Sequence, residues 1–357
     1  MKSSLANPPP TTVPPPPPPA APPGPLYQPG VPLYESYAQV LLGLNELPTL
    51  QQRVGNRYRG GSDATARAGM AYAQLDGAAP ESPVWARVEG RHATMQPSTT
   101  SGSTYQADQL KVQTGIDGLA LENDKGKLIV GLTAQYGTVA ADVASVFGNG
   151  KIRADGYSTG ATLTWYGDSG FYVDSQAQTT WYNANLTSAL TGTMAHGNDG
   201  FGYAFGVEGG RRFGVANGFS LTPQAQLVYS AVNFDTFFDR FGARVSLGRG
   251  DSLLGRVGLS LDHQRTWRDE AGRLTRSDVY GIANLHYEFL DGAVVNVSGA
   301  SLANANDRLW GSIGAGGTYS WADGRYAVYG EVSYNTSLSP AGDSHSYKGA
   351  GGFRVVW

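Results

Sequence analysis

The segment FYVDSQAQTTW, residues 171–181, alternates without a break between two kinds of side chain. Successive side chains of a strand point to opposite faces. Phe171, Val173, Ser175, Ala177, Thr179 and Trp181 therefore share one face, and Tyr172, Asp174, Gln176, Gln178 and Thr180 the other. The same division runs through VYGIANLHYEF (279–289), YAVYGEVSYNTSL (326–338) and YKGAGGFRVVW (347–357). Across these four strands 25 positions fall on the apolar face and none is charged, whereas the 21 opposing positions include Asp174, Glu288, Glu331, Lys348 and Arg354. In a chain that is 15% charged, one face has been kept clear.

A soluble sandwich also alternates, so three further details decide. Aromatic residues gather beside turns: Trp165, Tyr166 and Phe171 bracket GDSG, Tyr319, Trp321 and Tyr326 bracket WADG, and Trp181 closes the quoted strand. Amphipathic rings at strand ends suit the level of lipid headgroups. The alternation lasts about ten residues, enough for a tilted strand to cross a bilayer. A Lys or Arg facing the lipid midplane costs about 2–4 kcal/mol, which explains the missing charges. The fold class is all-β, a transmembrane antiparallel β-barrel.

Turn signals such as ENDKGK, GDSG, VANG and WADG divide the chain. Strands are expected near 83–95, 104–122, 127–145, 150–167, 170–187, 199–213, 218–234, 242–266, 274–290, 307–321, 324–337 and 346–357. That gives twelve if 242–266 is one strand and 291–303 an outer loop, or fourteen if the first is split and the second promoted. Either is even, as bacterial single-chain barrels require.

Upstream of the strands the chain changes character. Fourteen of the twenty prolines lie in residues 8–32, a composition that stays extended as a semi-rigid spacer. Residues 33–58 carry Leu33, Tyr37, Leu41, Leu44, Leu47, Leu50 and Val54 at helical spacing. Pro48 divides this stretch and suits the first turn of a second helix over roughly 48–58. A twelve-stranded barrel has room for about one helix, and this one stands immediately before the first strand. Arg53, Arg57 and Arg59 on it can pair with inward Asp174, Glu208, Glu288 or Glu331. Gln176, Arg87, Arg91, Arg212, Arg256 and Arg354 complete a lumen of mixed charge.

Much is excluded. A net charge of −3 with no basic stripe gives no reason to expect nucleic acid. Without cysteine there is no disulfide, thiolate metal site or Cys nucleophile. His92, His196, His263, His286 and His345 form no metal-ligand spacing, so no metal or cofactor is expected. RGD at 249–251 reads as chance within or beside a strand. The amino end lacks the apolar core of a signal peptide, so an exported protein would here be a piece of a longer precursor.

LPTLQQRVGNRY before the barrel, GYSTGATLTWYGDSGFYVDSQAQTTWY, SLTPQAQLVYS, DSLLGRVGLSLD, VYGIANLHYEF and the terminal GGFRVVW together resemble the translocator domains of monomeric (type V) autotransporters, especially the pertactin-like group. The resemblance spans residues 26–357. It implies a twelve-stranded outer-membrane barrel of a Gram-negative bacterium with its amino-terminal helix inside the pore, and a passenger that reaches the cell surface through it. The domains are then a passenger-side proline-rich linker (1–32), a helical pore plug (33–58) bearing Leu47, Pro48, Leu50, Arg53, Val54 and Arg57, a connection (59–82) and the barrel (83–357). Partners implied are outer-membrane lipid, the passenger itself, periplasmic chaperones and the barrel assembly machinery, for which Phe353, Val355 and Trp357 resemble the recognised signal. Some relatives cut themselves at paired asparagines, where this chain has Pro48 and Thr49, so self-cleavage is not expected. The competing readings are a plugged channel for small solutes, which needs no proline spacer, and a barrel enzyme, which needs a nucleophile–base set that the sequence does not offer.

Overall fold

The computed structural model describes residues 26–57 and 83–356. Twelve strands follow one another: β1 (Val84–Met95), β2 (Thr104–Asn123), β3 (Gly126–Ala144), β4 (Gly150–Gly167), β5 (Phe171–Ser188), β6 (Gly192–Arg211), β7 (Phe219–Phe234), β8 (Asp251–Arg268), β9 (Leu274–Glu288), β10 (Leu309–Trp321), β11 (Tyr326–Leu338) and β12 (Ala341–Val355). Each pairs antiparallel with its neighbours in sequence. The last returns to the first, Val355 lying opposite Val84. Closure leaves the wall without an edge, the condition a spanning sheet must meet where unpaired backbone groups cost several kcal/mol each.

At one end the strands are joined by short turns, and Asn217–Gly218 and Asp323–Gly324 supply the left-handed backbone two of them need. At the other end two excursions, 234–251 and 288–309, build a second sheet together with the β1–β2 loop. Its strands run Phe237–Phe238, Arg244–Arg249, Ala293–Val297, Ala300–Ala305 and Ser98–Thr99. The expected strand 242–266 is thus two: Arg244–Arg249 pairs with Ala293–Val297, and the wall strand starts at Asp251. Val245, Val295 and Leu302 are buried against the pore helix, which is why this stretch leaves the wall.

Two helices occupy the lumen, α1 (Val31–Leu44) and α2 (Leu50–Val54). α1 begins two residues earlier than the leucine spacing suggests, with Pro32 in its first turn, where a missing N–H costs nothing. It is buried around most of its circumference, as expected of a helix with apolar residues on several faces. Pro48 does not enter the second helix. Thr49 is its N-cap: the Thr49 hydroxyl accepts from the Gln52 amide and the Gln52 side chain accepts from the Thr49 amide, both at 3.2 Å. This reciprocal pair outcompetes proline for the start. Gly55, at φ +68°, ends the helix well short of residue 58.

Outward side chains confirm the parity read from the sequence. Leu110, Val112, Leu132, Leu259, Leu285, Ile313 and Val332 are all exposed on the wall's outer face. Ten residues separate outward Phe171 from outward Trp181. At about 3.3 Å per residue and a tilt of about 40°, that spans roughly 25 Å, the height of a lipid-facing belt. Rings cluster at both limits. Near the short turns Trp267, Tyr319, Trp321, Tyr326 and Phe353 form a chain of contacts. Near the long loops Tyr136 meets Tyr157, Trp181 meets Phe201, and Tyr334 meets Tyr347.

Candidate functional site: the occupied pore

α1 enters from the long-loop end. The Tyr27 ring meets Phe147 of the β3–β4 loop at 5.1 Å, and the Tyr34 hydroxyl donates to Asp239 in the 234–251 excursion at 2.9 Å. Leu33, Tyr34, Tyr37, Leu41 and Leu44 pack against Val143, Ile152, Leu186, Phe234 and the second sheet. The upper pore is therefore a dry collar. The Glu35 carboxylate within it is satisfied by the Ser101 amide and hydroxyl and by the Ser103 hydroxyl. Wall glycines allow close approach. A Cβ on Gly137 would stand 3.0 Å from Leu44, and one on Gly206 3.0 Å from Leu47.

Below Leu44 the contacts turn polar. Asn45 donates to the Tyr203 carbonyl and the Ser230 hydroxyl, each at 2.8 Å, and accepts from Thr180 at 3.0 Å. Glu46 pairs with Arg91 at 3.0 Å and Lys348 at 3.1 Å. The Pro48 carbonyl accepts from Gln176 at 2.8 Å. Beside this stretch, toward β8–β12, a cavity of ≈ 280 Å³ remains, bordered by Glu46, Arg91, Arg256, His286, Glu331 and Lys348. The charged groups on its border can hold ordered water.

α2 is tied to the wall on every side. Arg53 pairs with Asp174 of β5 at 2.5 Å, and Thr164 donates to the same carboxylate at 2.6 Å. The Leu50 amide donates to Glu208 of β6 at 3.2 Å, which also binds Arg256 at 3.2 Å and Tyr172 at 2.7 Å. Gln52 donates to Glu331 of β11 at 2.7 Å, and Tyr280 to its second oxygen at 2.8 Å. Tyr329 donates to the Arg53 carbonyl at 2.6 Å and Arg354 to the Val54 carbonyl at 3.1 Å. Arg57 pairs with Asp117 of β2, and Asn56 donates to Asp278 of β9. Leu50 and Val54 complete the plug by packing on Trp85, Ile129, Tyr166 and Tyr172.

Most inward residues named from the sequence meet the pore segment directly, but not all in the expected roles. Glu288 binds Ser252 and the Leu253 amide on β8 instead of an arginine of the plug. Arg212 bonds Ser220 and Gln264 on the wall. Tyr166 faces the lumen, buried against α2, while Trp165 faces out. Consecutive strand residues cannot both face lipid, and parity would have separated them. Arg59 and Trp357 lie outside the described residues, whereas Phe353 and Val355 take outward positions. Sequence reasoning passed over Glu46, Asp117 and Asp278. Glu46 had a signal, being an acid on the plug beside its proline break.

A lipid-spanning cylinder threaded end to end by its own upstream segment defines an outer-membrane translocator. Residues 84–333 match the Autotransporter beta-domain family, and the chain belongs to it. It is similar to the adhesin BmaC autotransporter of Brucella suis, 46% identical over 361 residues, a match covering 100% of this chain and 10% of that protein. In fold it is similar to the transport unit of the autotransporter AIDA-I from Escherichia coli, with a TM-score of 0.68 and 18% identity over 92% of this chain and 99% of that one. The beta domain of the Bordetella autotransporter BrkA superposes with a TM-score of 0.58 at 18% identity, covering 78% of this chain and 100% of that structure. The membrane concerned is the outer membrane of a Gram-negative bacterium. In such barrels short turns face the periplasm and long loops the exterior.

Proposed function

We propose that this domain carries an upstream passenger to the cell surface and retains α1 and α2 in its pore, uncut, as the trailing end of that passage. The observation carrying this is the direction of the pore segment. Its amino end lies at the long-loop mouth, beside Phe147 and Asp239, the mouth that faces the exterior in such barrels. The plug is held by side-chain pairs that match its sequence, from Glu46 to Arg57, which a generic solute channel does not require. Against internal cutting, Asn45 is enclosed by four wall residues, and Pro48 and Thr49 occupy the positions that paired asparagines hold in self-cleaving relatives. Phe353 and Val355 present the outward face that the barrel assembly machinery would read, with periplasmic chaperones delivering the unfolded chain.

The test is surface display. A signal peptide and a small tagged passenger are placed ahead of residue 8, and intact cells are probed with antibody and protease. The tag is expected outside, still joined to the barrel, and is expected to be lost from the surface when 33–58 are deleted. A folded barrel whose tag never leaves the periplasm overturns the reading, as does surface display undiminished by the deletion.

A further inference from the structure

The seam where β12 closes onto β1 carries an unusual row. Its inward-facing opposed residues run Trp85–Arg354, Arg87–Gly352, Glu89–Ala350, Arg91–Lys348 and Ala93–Ser346. One row sets two cations directly opposite each other, and like charges in that position weaken strand pairing. Glu89, two positions away on β1, is already engaged by Lys111 at 2.8 Å and by Arg87. Glu331 of β11 accepts from Tyr280 on the wall itself, and the residue opposite Lys348 on β11 is the neutral Ser333. Among the described residues, the ion pairs of Arg91 and Lys348 both end on Glu46.

Glu46 is not part of the wall. It lies in the non-helical stretch between α1 and α2, where Lys111 of β2 also donates to its backbone carbonyl at 3.3 Å. The side chains of Arg91, Lys348 and Glu46 keep 23%, 13% and 32% of their exposure, and all three border the cavity. A carboxylate can therefore reach the two cations through water without the full cost of desolvation. We propose that Arg91 and Lys348 form a carboxylate-binding site astride the closing seam, filled by Glu46 of the threaded chain, so that β1–β12 pairing is completed around an occupied pore. With the pore empty the row repels; with an acidic peptide side chain in place it becomes a staple across the last pairing. The inference deepens the secretion reading and rests on it for the meaning of an occupied pore.

The absence of cysteine makes an introduced pair a clean reporter. Gly90 and Gly349 are opposed on the outward side of the seam. A Cβ at Gly90 meets nothing within 4 Å, and one at Gly349 meets a Val332 methyl at 4.0 Å. The full chain with its tagged passenger, bearing Gly90→Cys and Gly349→Cys, is pulse-labelled in cells and oxidised at intervals. Cross-link formed early in the chase is expected to fall about fivefold or more with Glu46→Lys, which loses both partly exposed pairs and adds a third cation, and by less with Glu46→Gln. Adding Lys348→Glu to Glu46→Lys is expected to restore it. Equal cross-linking across the series overturns the proposal, and so does a Glu46→Lys defect that Lys348→Glu leaves unrepaired, including a failure to fold. Surface exposure of the tag in the parent is scored separately. A tag retained inside while the seam still answers to residue 46 sinks the secretion reading and leaves the site standing; an exported tag with an indifferent seam does the reverse.

Discussion

Arg53 and Asp174 meet with side chains only 2% and 0% exposed, so either charge left alone would be stranded in the wall. Arg53→Ala is expected to destabilise the folded barrel by about 3–5 kcal/mol, and Asp174→Ala in the same chain to recover much of that. Urea titration followed by the heat-dependent electrophoretic shift of the barrel would measure both, and equal losses in the single and double variants would contradict the pairing. Parity identified Asp174, Glu208 and Glu331 as inward, because the period of a strand is two and needs no other information. It could not say which arginine each would meet. That depends on how deep α2 sits, which is fixed by contacts made elsewhere: Leu47 against Gly206, and the Gly55 stop. Glu288 shows the same limit, being inward but at a depth where the plug offers it no cation.

Among the elements, α2 is five residues long, far below the length at which a helix holds itself together in water. Its capping box and the wall carry it. Thr49→Ala is expected to cost about 1 kcal/mol, and Thr49→Ser far less; a urea midpoint unchanged by the alanine would place the helix's stability wholly in the wall. The strands offer a complementary check. Leu259 lies midway along β8 on the outer face, 47% exposed. Leu259→Arg is expected to lose about 2–4 kcal/mol in lipid vesicles, a penalty that fades toward the belt's edges. Alternation made these strands legible. Arg244–Arg249 was misassigned because its residues alternate as wall strands do, and only the presence of α1 beneath it decides that they belong to a lid.

For the molecule as a whole, lumen filling governs permeability. α1 and α2 leave a cavity of ≈ 280 Å³ on one side, between the apolar collar and the ties around α2. Removing residues 31–57 is expected to raise single-channel conductance in planar bilayers severalfold, toward that of an open barrel of this size. An unchanged conductance would mean that the second sheet, not the plug, is the seal. Fold class and an even strand count were readable from the chain because closure and lipid both act through local periodicity, while the choice of twelve over fourteen waited on where 244–249 and 291–303 lie. The lid and the seam row were not, since each depends on residues far apart in sequence: Val245 with Val297, and Arg91 with Lys348.

The pore segment runs on through residues 58–82 into β1 of the cylinder it threads. A rope spliced to the rim of its own pulley cannot be drawn through and replaced by another. On the proposed function such an exporter has no turnover: each copy would serve one load and, left uncut, become that load's mooring. The number of domains displayed on a cell is then a count of barrels assembled, and output is set by the rate of synthesis and insertion, with no rate constant of transport able to raise it.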